Sequence, residues 1–148
     1  MSTDISGFGF KLNLIASKTF PNGVTVSQFA DDADPFDTPA IQYADKAMGL
    51  NGDMVTWSAP APLEITINII PDSDDDVNLS ALAEANRVSK GKNSSRDEIT
   101  MVGIYPSGKI RTFTGGKLTN GVPADSIASA GRLKTKPYTF AFEQMALS

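Results

Sequence analysis

Leu63-Glu64-Ile65-Thr66-Ile67-Asn68-Ile69-Ile70 is the stretch on which the fold turns. Leu63, Ile65, Ile67 and Ile69 alternate with Glu64, Thr66 and Asn68, and a period of two sends the two sets to opposite sides of an extended strand. One side is dry and the other wet, as in an antiparallel sheet with a single face on a core. Pro71 ends the run, since it has no N–H to give to a ladder.

The same alternation recurs on either side. Upstream, Phe8, Phe10, Leu12 and Leu14 alternate with Gly9, Lys11 and Asn13, and the pattern resumes at Val24-Thr25-Val26. Pro21-Asn22-Gly23 lies between, so residues 7–30 read as a hairpin turning at Asn-Gly. Residues 31–39 hold Asp31, Asp32, Asp34, Pro35, Asp37 and Pro39; mutual repulsion and the prolines make this an irregular solvated loop. Residues 41–48 and 54–57 flank Asn51-Gly52 and form a second hairpin, carrying Tyr43 and the single tryptophan, Trp57. Downstream, Asp72-Ser73-Asp74-Asp75-Asp76 leads into one helix at about residues 77–90, with Leu79, Leu82, Ala83 and Asn86 on one side. One of Asp74–Asp76 is the expected N-cap, Arg87 and Lys90 suit the C-terminal end of the helix dipole, and Gly91 suits C′. Residues 99–105 and 110–114 flank Pro106-Ser107-Gly108-Lys109 as a third hairpin. Gly115-Gly116 and Asn120-Gly121 mark bends, Tyr138–Phe142 alternates as the last strand, and residues 143–148 are expected to form a mobile tail. The expectation is a mainly β single domain over residues 1–148, a sandwich or barrel flanked by one helix.

Composition narrows function. A chain of 148 residues with 41% hydrophobic residues can bury about two-thirds of its unfolded surface as one domain. It has no Cys, which removes disulfides and thiolate metal sites, and no His, which removes the commonest general base and transition-metal ligand. The prior for an enzyme falls accordingly. No apolar run reaches the length of a membrane span, and Met1-Ser2-Thr3-Asp4 lacks the features of a signal peptide, so folding in a cytoplasm without membrane insertion is expected. A pI near 4.7 argues against phosphate binding as the main task.

Charge is divided along the chain. Residues 1–86 hold 13 Asp/Glu against Lys11, Lys18 and Lys46, leaving −10. Residues 87–148 hold ten Lys/Arg against Asp97, Glu98, Asp125 and Glu143, leaving +6. Opposed patches on one copy favour head-to-tail association into rings or filaments, unless the halves interleave in space and cancel.

Catalytic and ligand motifs are weak. Asp72, Asp74 and Asp76 begin like a calcium loop, but position six is Val77 and position twelve Ala83, and a helix start explains them better. Gly115-Gly116-Lys117 lacks the rest of a P-loop, being followed by Leu118. The acids cluster on loops rather than in a context that raises a carboxyl pKa, which leaves a His-free carboxylate hydrolase as a remote option. Arg132, Lys134 and Lys136 come without an aromatic stacking pattern and read as a charged edge strand rather than a nucleic-acid site.

The order of hairpin, long acidic loop, amphipathic strand, short helix and closing hairpins resembles the tail tube proteins of contractile-tailed bacteriophages. The tubes of phage-derived bacteriocins and type VI secretion look similar. The resemblance is carried by Leu63–Ile70, by Leu79-Ser80-Ala81-Leu82-Ala83-Glu84-Ala85-Asn86 and by Phe140-Ala141-Phe142, as an ordering of elements over most of the chain. It implies a non-enzymatic virion component without cofactor or metal. Six copies would form a ring whose strands join into one barrel, and rings would stack with sheath, baseplate and terminator proteins as further partners. DNA would pass through the bore without specific binding. On this resemblance Glu64, Thr66 and Asn68 face the lumen, and residues 31–58 form an arm to the next ring. Asp31, Asp32, Asp34, Asp37, Tyr43 and Trp57 would then meet neighbouring copies, as would Arg132, Lys134 and Lys136. The alternative is a carbohydrate-binding or adhesin-like β-sandwich, with Trp57, Tyr43 and Tyr105 grouped as an exposed platform.

Overall fold

The structure, a computed structural model, describes residues 9–29 and 35–147. Strands β1 (Lys11–Ala16) and β2 (Phe20–Val26) form the first hairpin, and β3 (Phe36–Asp37) is a two-residue strand. Strands β4 (Ala44–Met48) and β5 (Met54–Ser58) form the second hairpin, followed by β6 (Leu63–Ile69) and helix α1 (Asp74–Asn86). Strands β7 (Ile99–Ile104), β8 (Ile110–Asn120), β9 (Lys136–Phe142) and β10 (Gln144–Leu147) complete the chain. The main sheet runs β2-β1-β7-β8-β9-β6-β3 with antiparallel neighbours, and β10 adds to β8.

The sheet folds over itself at β8. Residues 111–114 of β8 lie between β7 and β10, whereas Lys117, Leu118 and Asn120 pair with β9. Gly115 and Gly116 make the corner. A Cβ on Gly116 would lie 2.3 Å from the Phe142 ring and 3.0 Å from the Ile99 carbonyl oxygen, so only glycine lets the layers meet there. Leu12, Leu14, Ile99, Met101 and Phe113 from one layer pack with Ile65, Ile67, Ile69, Tyr138, Phe140 and Phe142 from the other. Each such side chain contributes about 1.5–3 kcal/mol on burial. Helix α1 adds Leu79 and Leu82 to this core. On the far side Phe29 bridges to Ile69, and Ile70 N–H donates to the Gln28 carbonyl, which draws the chain after β2 towards β6. The architecture is the expected mainly β sandwich with one helix.

Several local expectations need correction. The first hairpin turns at residues 17–19, and Pro21-Asn22-Gly23 lies inside β2, where the register shifts opposite Ile15. Gly23, at φ +82°, accommodates that irregularity. Phe36 and Asp37, assigned to an irregular loop, pair with Ile67 and Thr66. Ser73, rather than an aspartate, caps α1 by accepting from Asp76 N–H. The helix ends at Asn86, short of residue 90, and no basic side chain lies in its last turn. Its final carbonyls are met from beyond it: Lys92 Nζ donates to the carbonyls of Glu84 and Arg87, and Ser95 N–H to that of Ala85. The mobile tail is a strand, since residues 144–147 pair with residues 111–114. Finally, β9 lies between β8 and β6, so Lys136 does not begin an edge strand.

Candidate assembly surface

Part of the charge expected on the surface lies inside. Lys136 is 4% exposed, with Nζ 3.1 Å from Asp76 Oδ1 and 3.3 Å from Asp125 Oδ1. Tyr138 OH donates to the same Asp76 oxygen at 2.9 Å, and Lys136 Nζ donates to Ser80 Oγ at 3.1 Å. Burial raises the Asp76 pKa, but hydrogen bonds from Asp72 N–H, Lys136 and Tyr138 outweigh it and hold the carboxyl below its ordinary range. Burial likewise opposes the charge on Lys136, and Asp76 overrides it, so the Lys136 pKa is raised. Asp75 accepts from the N–H groups of Ser27 and Gln28, both at 2.7 Å, and clamps the end of β2 to the helix. Carboxylate oxygens of Asp72, Asp76 and Asp125 come together, whereas the sequence grouped Asp72 with Asp74 and Asp76. The ammonium of Lys136 already supplies a cation to two of the three. Lys136 is therefore a buried partner of its own chain, not the surface contact expected of it.

The outward face of β6 carries Glu64, Thr66 and Asn68, opposite the buried isoleucines. Partners directly across an antiparallel pair share a face. Thr66 therefore stands with Thr139, whose hydroxyl is 3.1 Å away, and with Asp37 of β3. Glu64 stands beside Ala141, and Ala141 beside Lys117 of β8. The face holds two carboxylates, Asp37 and Glu64, against one ammonium, Lys117, a net of one negative charge. Asp37, expected at a contact between copies, thus shares a face with the expected lumen residues.

The β4-β5 hairpin forms a sheet of its own, and all ten of its strand residues are exposed. It closes with Ala59 N–H donating to the Tyr43 carbonyl and turns through Gly49–Asp53, where Gly52 sits at φ +91°. Asp45–Trp57 and Ala47–Val55 pairs occupy one face, and Lys46–Thr56 and Met48–Met54 pairs the other. Met48, Leu50, Met54, Val55 and Trp57 are all large, apolar and exposed, Leu50 completely so. A lone two-stranded hairpin is at best marginally stable in water, and this one offers apolar side chains to solvent on both faces.

Beside the root of the hairpin lies a cleft of about 430 Å³. Ile41, Leu63, Ile65, Phe113 and Met145 give it apolar walls, Tyr43 and Tyr105 line it, and Glu64 and Arg111 add charge. Trp57 does not line it, so only two members of the aromatic platform come together. Tyr105 is itself held by Phe10, whose ring also meets Phe29 and Phe36; these two flank the acidic loop. Arg132 and Lys134 are exposed in the 121–135 loop, which is pinned by the Ile127–Leu133 bridge. Asp31, Asp32 and Asp34 lie outside the described residues. Arg111 and Met145 were missed from the sequence, because only the pairing of β10 with β8 brings them together. No helix among the described residues is long and apolar enough to cross a membrane.

Comparison with solved structures shows where this fold recurs. A chain in a cryo-EM structure of an extracellular contractile injection system, PVC sheath/tube terminator in the extended state, superposes with a TM-score of 0.64. It is 10% identical, and the match covers 100% of this chain and 99% of that one. A chain from the anti-feeding prophage baseplate, 6-fold symmetrised, matches at a TM-score of 0.60 and 9% identity, over 100% and 97% of the two chains. A chain from a PVC sheath-tube complex in the extended state gives 0.58 at 8% identity, over 99% and 93%. At these identities the likeness is one of fold. No curated protein matches the sequence significantly. The sequence does match a family described as tail fiber protein gp32 over residues 3–146, nearly its whole length, and the chain belongs to that family.

Proposed function

We propose that this chain is the repeating, non-catalytic subunit of a phage tail tube. Six copies form a ring, rings stack head-to-tail, and the genome leaves through the bore. One observation carries the reading: a well-packed sandwich holds out a hairpin, β4-β5, whose large apolar side chains are exposed in a single copy. The fold shared with chains of contractile injection systems supports a place in a tail-like particle. In this reading residues 1–148 are one domain, residues 31–58 the arm, and sheath, baseplate and terminator proteins the further partners in the virion. Glu64, Thr66 and Asn68, joined by Asp37, face the lumen. Their net negative charge suits a conduit, since a basic wall would hold DNA by counterion release.

The family's description favours a second reading, a fibre component with an adhesin-like sandwich. In that case the cleft lined by Tyr43 and Tyr105 would meet a receptor or sugar. Electron microscopy of the purified protein separates the two. A tube subunit gives hollow rods or rings, and replacing residues 44–58 by a short Gly-Ser linker leaves soluble protein without rods. Solid fibres or a monomer with sugar affinity, or unchanged hollow rods from the linker variant, count against the tube reading or its arm.

A further inference from the structure

We infer that the cleft beside β10 is the receptor for the β4-β5 hairpin tip of a second copy. The inference rests on the assembly reading above and names the surface that the arm meets. The tip presents Met48, Leu50 and Met54 to solvent, and the cleft presents apolar walls of matching chemistry, with Arg111 and, from the end of the outward face of β6, Glu64 among its lining residues. Among the described residues no carboxylate pairs with the Arg111 guanidinium, whose hydrogen bond goes to the Ile110 carbonyl. The arm carries Asp45 and Asp53 against Lys46, a net negative charge, with Asp53 at the tip beside Asn51. Apolar surface is therefore complementary between two different parts of one chain, and Arg111 offers Asp53 a guanidinium that no described carboxylate pairs, although Glu64 balances its charge in the cleft as a whole.

The arm cannot fill its own cleft. Residues 38–43 form one wall of the cleft, and the hairpin leaves from that rim. Leu50 is six residues beyond Ala44, about 20 Å away at the rise of an extended strand. The occupant is consequently another copy. Because tip and cleft are different surfaces, the contact is heterologous and propagates instead of closing as a two-fold dimer. The cleft also lies where β6 begins and β9 ends, at the end of the strands.

The absence of cysteine makes the test clean. Leu50→Cys and Met145→Cys are both exposed positions, one on the tip and one on the cleft wall. The double variant, assembled and then oxidised, should give a ladder of covalent multimers on a denaturing gel, whereas Met145→Cys alone gives monomer. In parallel, Arg111→Glu should raise the concentration needed for polymerisation about tenfold, and adding Asp53→Lys should restore it. Rods visible by microscopy with neither ladder nor charge rescue would overturn the arm-in-cleft contact while leaving the tube reading standing. Protein that stays monomeric at every concentration, with no ladder, would overturn both.

Discussion

Asp97 carries more structure than its place in a polar connector suggests. Its carboxylate accepts from the N–H groups of Lys18 and Thr19 at 2.7 and 2.9 Å, and from the Thr19 hydroxyl. Asn86 Nδ2 and Ser95 Oγ donate to it as well, at 2.9 and 2.8 Å. One side chain thus joins the first turn, the end of α1 and the approach to β7. Burial alone would raise its pKa, but the hydrogen bonds from Thr19, Ser95 and Asn86 win and hold it well below the ordinary carboxylate range. Asp97→Ala should lose about 3 kcal/mol, because buried donors are left without their charged acceptor. Chemical denaturation at pH 7 measures this. The sign of the pH effect follows from the depressed pKa: the contribution is full above the unfolded-state value of about 3.9 and is lost as pH falls below it. An Asp97→Asn variant should therefore show a flatter decline in stability below pH 4 than the parent. Equal acid sensitivity would mean that the carboxylate is not the anchor.

At the scale of elements, legibility followed the range of the interaction. The β6 strand, the β7-β8 hairpin and the β4-β5 hairpin could be read because local alternation and Asn-Gly or Ser-Gly turns specify them. The first turn could not, since the acceptor that holds residues 17–19 sits 78 and 79 residues away. That distant cap outweighs the local preference of Asn22-Gly23, which becomes an irregularity within β2. Strand β10 was invisible for a similar reason. Gln144-Met145-Ala146-Leu147 has no amphipathic pattern and is a strand only because β8 runs beside it. Of the residues expected at contacts between copies, Tyr43 and Trp57 are exposed on or beside the β4-β5 hairpin, whereas Lys136 is buried against Asp76. The corner in β8 shows the same dependence on tertiary contact. Gly116→Ala places a methyl against the Phe142 ring, so the variant should be about 2 kcal/mol less stable, as overpacked cores are. A shift in the urea midpoint with an unchanged slope is the expected outcome. Ala at Gly108, where nothing lies within 4 Å, meets no such contact and differs only through its positive φ.

For the whole molecule, the sheet order interleaves the two charge halves, with β1 beside β7 and β6 beside β9. Asp76 from the acidic half and Lys136 from the basic half then neutralise one another inside. What remains of the asymmetry belongs to surfaces, and in the proposed tube the face shared by β3, β6, β9 and β8 is the one that DNA would meet. It carries Asp37, Glu64 and Lys117, with uncharged Thr66, Asn68 and Thr139 between them. If that face lines a bore, one cation added per subunit repeats around every ring and along the whole tube. Asn68 suits the test because it is partly exposed and stands opposite Pro137 on the same face as Thr66. Asn68→Lys tubes should retain double-stranded DNA at low ionic strength, and retention should fall steeply as salt rises, as counterion release requires. Parent tubes should release the same DNA under all these conditions. Intact Asn68→Lys tubes that retain no more DNA than the parent would place this face on the outside and move the bore to the layer formed by β2, β1 and β7.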